Sequence, residues 1–536
     1  MKRSLFAVFL AAFLMLNAQE NITGGYYGIL QYYMPDSATR FSPPSEKWRS
    51  MQYFNVLYME DKWEAGLQIE SYLPRALLGY DPEFRGTRLT SYYLRYRNEE
   101  WDITAGHVYD QFGAGLALRT WEDRQLGINN ALAGIRLQYR LPNLRLTFIG
   151  GNPRTGMQIS SAAVTAFDIS ADLHRWFSRF SSWEAGFSAV SKYEPQDNAR
   201  VPALVNIFAG RTSLSTGAFD FRLEYAYKTP DALYHNGIID DLVLFDGDAV
   251  LLNVAYGVKG FGTNLSLRRS ENMRLYALRS LTDNPYNRGV LNYIPALVKQ
   301  HDYLLTNLFV YSADDGISFA NRTAGEIGGQ WDAYFFLKRK SFWGGRYGTR
   351  MALNWSRWHA LKTRFLPALH TYRRSLWKPG PLRYQDINTE IKKKLSKRVK
   401  TSVLLMYQIY NRNLLEGHGG MLHNYIAVSD WQVRLPHRSS LRVEAEHLWN
   451  FDEEGHWAAA AMEYAWRGTW NFFLADRFHY GGDKIHYYRI GGAYNRQGTR
   501  LALAYARERG GLICVGGVCR YVPPNTGWQL TLNIRF

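Results

Sequence analysis

Apolar and polar residues alternate one for one along most of this chain, most clearly within 101–151. Over 135–140, Ile135, Leu137 and Tyr139 fall on one face and Arg136, Gln138 and Arg140 on the other. Leu141-Pro142-Asn143 interrupts the run. Leu144, Leu146 and Phe148 then resume it opposite Arg145 and Thr147. A period of two sends successive side chains to opposite faces of a strand. Two such runs around a Pro-containing turn predict a β-hairpin.

The same rhythm orders the chain from the start. Strands are predicted at 22–34, 51–59, 63–72 and 88–97. A polar, Pro-containing loop (35–49), the tight turn Glu60-Asp61-Lys62 and a loop at 73–87 separate them. In the fourth run Tyr92, Leu94 and Tyr96 oppose Tyr93, Arg95 and Arg97. Further on, Leu441, Val443 and Ala445 oppose Arg442, Glu444 and Glu446, and Leu501, Leu503 and Tyr505 share a face. Short turns recur at Lys397-Arg398, Pro436-His437-Arg438 and Arg496-Gln497-Gly498. The longest connections are expected at 229–247, 276–300 and 361–382. Alternation of long loops with very short turns is the asymmetry of outer-membrane barrels, whose short turns face the periplasm.

One alternating strand also suits a soluble sandwich, so the number and length of strands decide. The predicted strands are nearer ten residues than the usual five or six, and about two dozen of them are present. An open sheet of that size leaves edges to protect, whereas a closed barrel has none. The predicted fold is all-β: one large single-chain transmembrane antiparallel β-barrel of about 24 strands, within about 22 to 26. Its turns are short on the periplasmic side and its loops long on the extracellular side. The stretch 276–338 leaves the count ambiguous. No linker, low-complexity tract or fixed-period repeat divides the chain.

Composition sharpens this picture. Tyr 37, Trp 17 and Phe 28 make the chain 15% aromatic, a supply suited to aromatic girdles at both membrane interfaces. A mean hydropathy of −0.33 agrees with a barrel whose inward residues are polar. At the N-terminus, Lys2 and Arg3 precede an apolar run at 5–16 and the small-residue site Asn17-Ala18. This predicts a signal peptide at 1–18 and a barrel over 19–536. The run is too short for a membrane-spanning helix, which needs about 20 residues. The formal charge is +17, of which Lys2 and Arg3 supply two, leaving +15 on the mature chain. No basic helix or RNA-binding motif accompanies that charge, so nucleic acid is not an expected partner. The first strand begins too soon after the cleavage site for an N-terminal plug, which argues against energised uptake of the TonB-dependent type. Cys514 and Cys519, the only cysteines, are expected to form a disulfide across a small loop turned by Gly516-Gly517, because an exported chain meets an oxidising compartment.

The last strand places Trp528, Leu530, Leu532, Ile534 and Phe536 on one face and ends the chain on an aromatic residue. It resembles the C-terminal signal strand of bacterial outer-membrane proteins, which the barrel-assembly machinery reads. The run from Tyr109 to Arg119, the following Glu122-Asp123-Arg124, 126–130, and the Cys-containing stretch 509–520 resemble an uncharacterised family of Bacteroidota outer-membrane β-barrel proteins. The resemblance covers essentially the whole mature chain. It implies the fold and a bacterial outer-membrane location, and carries no activity or catalytic residues.

Candidate chemistry lies on the face opposite the lipid. Arg95, Arg97, Arg136, Arg140, Arg145 and Arg222 would favour anions in an open lumen. Otherwise they pair with acids such as Asp220, Glu224, Glu444 and Glu446, or sit in a plugged interior. Arg119, Glu122, Asp123 and Arg124 follow Gly113 and Gly115. They either fold inward as a constriction or form a solvated, locally salt-bridged loop. The basic run at 391–398 is a solvated turn or a contact for anionic headgroups or a periplasmic partner. Glu416, His418 and His423 are close enough in sequence for a metal to be considered, although alternation does not fix their directions. No metal site or cofactor is predicted. Neither a GxSxG elbow nor an HExxH motif occurs, so no enzyme is predicted.

The leading expectation is a porin-like passive channel for small polar or anionic solutes. The second is a structural or partner-binding barrel of a surface or export complex, with an occluded lumen. An outer-membrane enzyme is a weaker third. Expected partners are outer-membrane lipid, the barrel-assembly machinery, and outer-membrane or periplasmic proteins.

Overall fold

The computed structural model describes residues 21–536 apart from 175, 176, 178, 179, 236, 237, 283, 285, 287, 516 and 517. The predicted signal peptide (1–18) and the Gly516-Gly517 turn lie outside the described residues. The rest forms one closed antiparallel barrel. Twenty-four strands pair with their sequence neighbours, and the first, Ile22–Tyr33, closes against the last, Asn525–Arg535, with Gly25 opposite Arg535 and Tyr33 opposite Gly527. No helix of the described residues is long and apolar enough to cross a membrane.

The apolar face of each strand points outward. Leu94 is 50% exposed, Phe187 46%, Leu405 58% and Ile490 52%, and they fall in successive arcs of the wall. On the opposite face Asp102, Asp168, Glu444 and Asn424 are buried. This reverses the arrangement of a soluble sandwich, where the apolar rows would be covered and the charges exposed. The wall is therefore lipid-facing, and the chain is a transmembrane barrel of the bacterial outer-membrane type.

The hairpin at 132–155 follows its predicted register, with Leu141 opposite Leu144 and Gly134 opposite Gly151. Two expected loops are instead strands. Residues 229–247 belong mostly to Phe219–His235 and Ile238–Val258, and 361–382 to Thr349–Leu366 and Thr371–Lys394. Both pairs rise beyond the lipid-facing belt as hairpins with register shifts near Asp231 and Leu361. Outside the lipid both faces can be wet, so pairing continues where alternation stops. The stretch 276–338 contributes one barrel strand, Glu326–Leu337.

Candidate functional site

The connection between Phe261–Glu271 and Glu326–Leu337 does not extend into solvent. It turns back into the barrel. Asn272 N–H donates to the Asp315 carbonyl (2.7 Å) and Met273 N–H to the Asp315 carboxylate (2.9 Å), so the two ends of the segment meet. Between them Met273, Leu275, Leu291, Leu305 and Tyr311 are essentially inaccessible. They join inward wall residues such as Val164, Val190, Ile207, Leu404, Ile426 and Leu448 in one continuous apolar core. Leu116, Ala117 and Leu118, from the loop between Trp101–Val108 and Leu132–Leu141, belong to the same core. Burying side chains of this size contributes about 1.5–3 kcal/mol each.

The two in-folded loops interlock. Arg119 N–H donates to the Leu291 carbonyl (2.8 Å), Tyr293 N–H to Gly115 (2.9 Å), and the Asn292 amide to Leu116 (2.9 Å) and Met273 (2.8 Å). Wall carboxylates hold both. Glu446 accepts the consecutive N–H groups of Leu304 (2.6 Å) and Leu305 (2.8 Å), and Glu224 accepts that of Ala114 (2.7 Å). His301 donates to Asn388 (3.1 Å) and Tyr303 to Glu390 (3.2 Å). Burial lowers the His301 pKa below its ordinary value, against the opposing Asn388 hydrogen bond. Arg279 pairs with Glu194 (3.0 Å) and Asp231 (2.6 Å) near the outer end.

The sequence-predicted residues are dispersed along the wall and its loops. Arg95, Arg140 and Arg136 converge on buried Asp102 at 2.5, 3.1 and 3.4 Å, and Arg136 also meets Asp110 at 2.6 Å. Arg145 lies 3.7 Å from Glu184, and Arg222 is 3.0 Å from Asp220. Arg97 is exposed beside its turn. Among the described residues, all of these cations but Arg97 thus have a carboxylate neighbour, with Arg95, Arg136 and Arg140 sharing Asp102 and Asp110. Arg119 stacks on Trp121 and Tyr293, each at 4.2 Å. Glu122 accepts from Gln68 (2.7 Å), Arg124 donates to Gln68 (2.9 Å), and Asp123 accepts from Leu126 N–H (2.8 Å). The loop lies inward against the wall and keeps a local ion pair between Arg124 and Glu122 (3.5 Å).

Cys514 and Cys519 are joined across the hairpin Gly511–Val515 and Val518–Val522. Beside it Arg520 stacks on Tyr80 (4.0 Å) and donates to the Gln125 (2.9 Å) and Gly79 (2.5 Å) carbonyls, fastening three extracellular loops. Trp528 and Leu530 are exposed on the outer wall, in the row that runs on through Leu532 and Ile534. Phe536 follows and stacks on Phe54. Glu416 and His418 approach to 3.6 Å, but His423 turns to Asp452 at 3.2 Å. Among the described residues no three His, Cys, Asp or Glu side chains are placed to hold a metal.

Toward the periplasm the lumen opens. A cavity of about 830 Å³ lies between the plug tip, at Asp302, Tyr303, Leu304 and Asn307, and the periplasmic ends of the wall strands. Arg398, Lys400, Arg434, Arg442, Arg477 and Arg500 line it. Arg442 is held by Asp430 (3.0 Å), Glu444 (2.5 Å) and Glu463 (3.2 Å), and Arg477 by Glu508 (3.4 Å). Arg398, Lys400, Arg434 and Arg500 carry no ion pair among the described residues. A second cavity, of about 690 Å³, adds Lys299, Arg350 and Lys392. On the same rim the turn after Glu326–Leu337 carries Lys338, Arg339, Lys340 and Arg346 around Phe342 (90% exposed) and Trp343 (73%).

A plugged interior stood among the alternatives from sequence, but its location at 272–315, Glu446 as its clamp, the role of Arg520 and the buried Arg154–Glu70 pair (2.7 Å) were not foreseen. One signal was present. Residues 291–311 are rich in Leu, Ile, Val and Tyr without a period of two, which a solvated loop does not need.

The profile of a family described as "Family of unknown function (DUF6029)" matches residues 1–536. No curated protein matches the chain. Among solved structures it is similar to the P pilus usher (PapC) translocation pore, at 10% identity over 96% of this chain and 99% of that one, with a TM-score of 0.41. It is also similar to the siderophore receptor PirA from Pseudomonas aeruginosa (7%, 97% and 81%, 0.42). A third is Wzi, a carbohydrate-binding β-barrel involved in group 1 capsule assembly in Escherichia coli (9%, 99% and 87%, 0.32).

Proposed function

The chain belongs to the DUF6029 family, and we propose that it is a partner-binding outer-membrane barrel, closed at rest by its own in-folded segment and open toward the periplasm. The supporting observation is the apolar core that joins the plug to the wall around the lumen. A freely conducting porin keeps a water-filled lumen; here packed side chains and interlocked loops occupy that space. The uncompensated cations of the periplasmic vestibule favour an anionic partner, and movement of any solute through the barrel requires displacement of the plug. The role is binding and gating, without turnover. Export by the segment 1–18 and recognition of the terminal strand by the barrel-assembly machinery are part of the same proposal.

Planar-bilayer recording tests it. Wild-type barrels are expected to be silent at low voltage, and deletion of 298–311 to give steady, anion-preferring conductance. Steady conductance of the wild type, unchanged by the deletion, would return the reading to a passive porin.

A further inference from the structure

The outer wall carries a groove of about 480 Å³ that neither the plug nor the vestibule explains. Leu252, Leu265, Leu267, Trp331, Trp355 and Trp377 line it. The floor is low because Gly329 stands opposite Leu267 on one side and Arg357 on the other. A Cβ at Gly329 would meet the Ser266 carbonyl oxygen at 2.4 Å and Leu267 Cδ2 at 2.6 Å, so glycine is what lets the neighbouring strands close up there.

A cation interrupts this apolar surface. Arg357 lines the groove and is exposed, and among the described residues it has no carboxylate partner. Its Nε donates to His359 Nε2 (3.0 Å), while His359 Nδ1 donates to the Gly380 carbonyl (2.9 Å). That relay fixes the guanidinium and leaves its terminal nitrogens without an acid. Eight residues separate Arg357 from Thr349, where the strand leaves its periplasmic turn. At the usual rise and tilt this places Arg357 about 20 Å up an apolar belt about 25 Å tall, beside the outer leaflet. An unpaired arginine facing lipid at that height calls for an anion, and a guanidinium matches phosphate with two parallel hydrogen bonds.

We infer that this groove binds a phosphate-bearing lipid of the outer leaflet, with an acyl chain along the leucines, Trp331 and Trp355 and the phosphate on Arg357. Native mass spectrometry of the intact barrel, released from detergent with phosphatidylglycerol as the probe, tests it. Wild type should retain one phosphatidylglycerol, and the diacylglycerol of the same chains should be retained about tenfold less. Arg357→Gln should lose most of the phosphatidylglycerol adduct, and Leu267→Trp, which fills the groove, should lose both lipids. Lys484→Gln, on an extracellular loop, should behave as wild type. Equal retention by Arg357→Gln and wild type, or equal retention of the two lipids by wild type, would overturn the assignment. So would the absence of a phosphatidylglycerol adduct on the wild type.

Discussion

Glu446 holds the plug with both carboxylate oxygens, one for each N–H of Leu304 and Leu305. An amide in its place offers one acceptor and one donor. Glu446→Gln therefore sets a donor against one of two buried N–H groups, at a cost of about 1–3 kcal/mol. The variant should keep the barrel and show faster amide exchange over 301–311, read by mass spectrometry. Gly113 plays the matching part in the second loop. Its φ is +54°, and a Cβ would lie 2.3 Å from the Glu224 carboxylate. Gly113→Ala should dislodge Ala114 from Glu224 and increase proteolysis within 109–131, with the strands intact. The two glycines before Arg119 were visible in the sequence as missing bulk. What they make room for was not, because Glu224 lies 110 residues away.

The contribution of His301 to docking depends on pH. Burial lowers its pKa in the docked state, so protonation favours release. Docking is at full strength above the ordinary histidine pKa of about 6.5. It weakens as pH falls through that value toward the lowered one. Glu390, which favours the protonated form, and Lys299 and Lys392, which oppose it, also act on the ring. The expected result is a greater rise in channel opening from pH 8 to pH 5 in the wild type than in His301→Gln.

At the scale of elements, legibility followed the solvent. Where a strand separates lipid from a polar interior, its two faces differ and period two reveals it, as at 132–155 and 525–535. Above the lipid the contrast fades, and Pro230 and Pro379 add turn signals. The long hairpins there read as loops although their backbones remain paired. The plug defeated the reading differently. It has no regular period because its backbone is irregular, yet it needs core residues because it is surrounded by protein. Leu305 is fully buried in that core. Leu305→Ala should cost docking about 2–5 kcal/mol. The variant should expose 301–311 to limited proteolysis while its folded barrel still migrates ahead of the heated form on a gel.

For the whole molecule, the consequence is an asymmetric vessel. Interlocked loops fastened by Arg520 close the extracellular side, and a basic vestibule opens the other. Closure of the barrel, its lipid-facing wall and its strand number were all readable from alternation and length. The contents of the lumen were not, because inward cations look alike whether they face water or, like Arg95, Arg136 and Arg140, share a buried Asp102. That distinction separates a channel from a closed, partner-binding barrel.

Backbone hydrogen–deuterium exchange of the barrel in lipid tests this most directly, because it reports on the plug residue by residue. The amides of Met273, Leu291, Leu304 and Leu305, each hydrogen-bonded inside the lumen, should exchange as slowly as those of the neighbouring strands. Exchange of these amides on the time scale of a solvated loop, with the strands still protected, would mean that the lumen is open and would contradict the account.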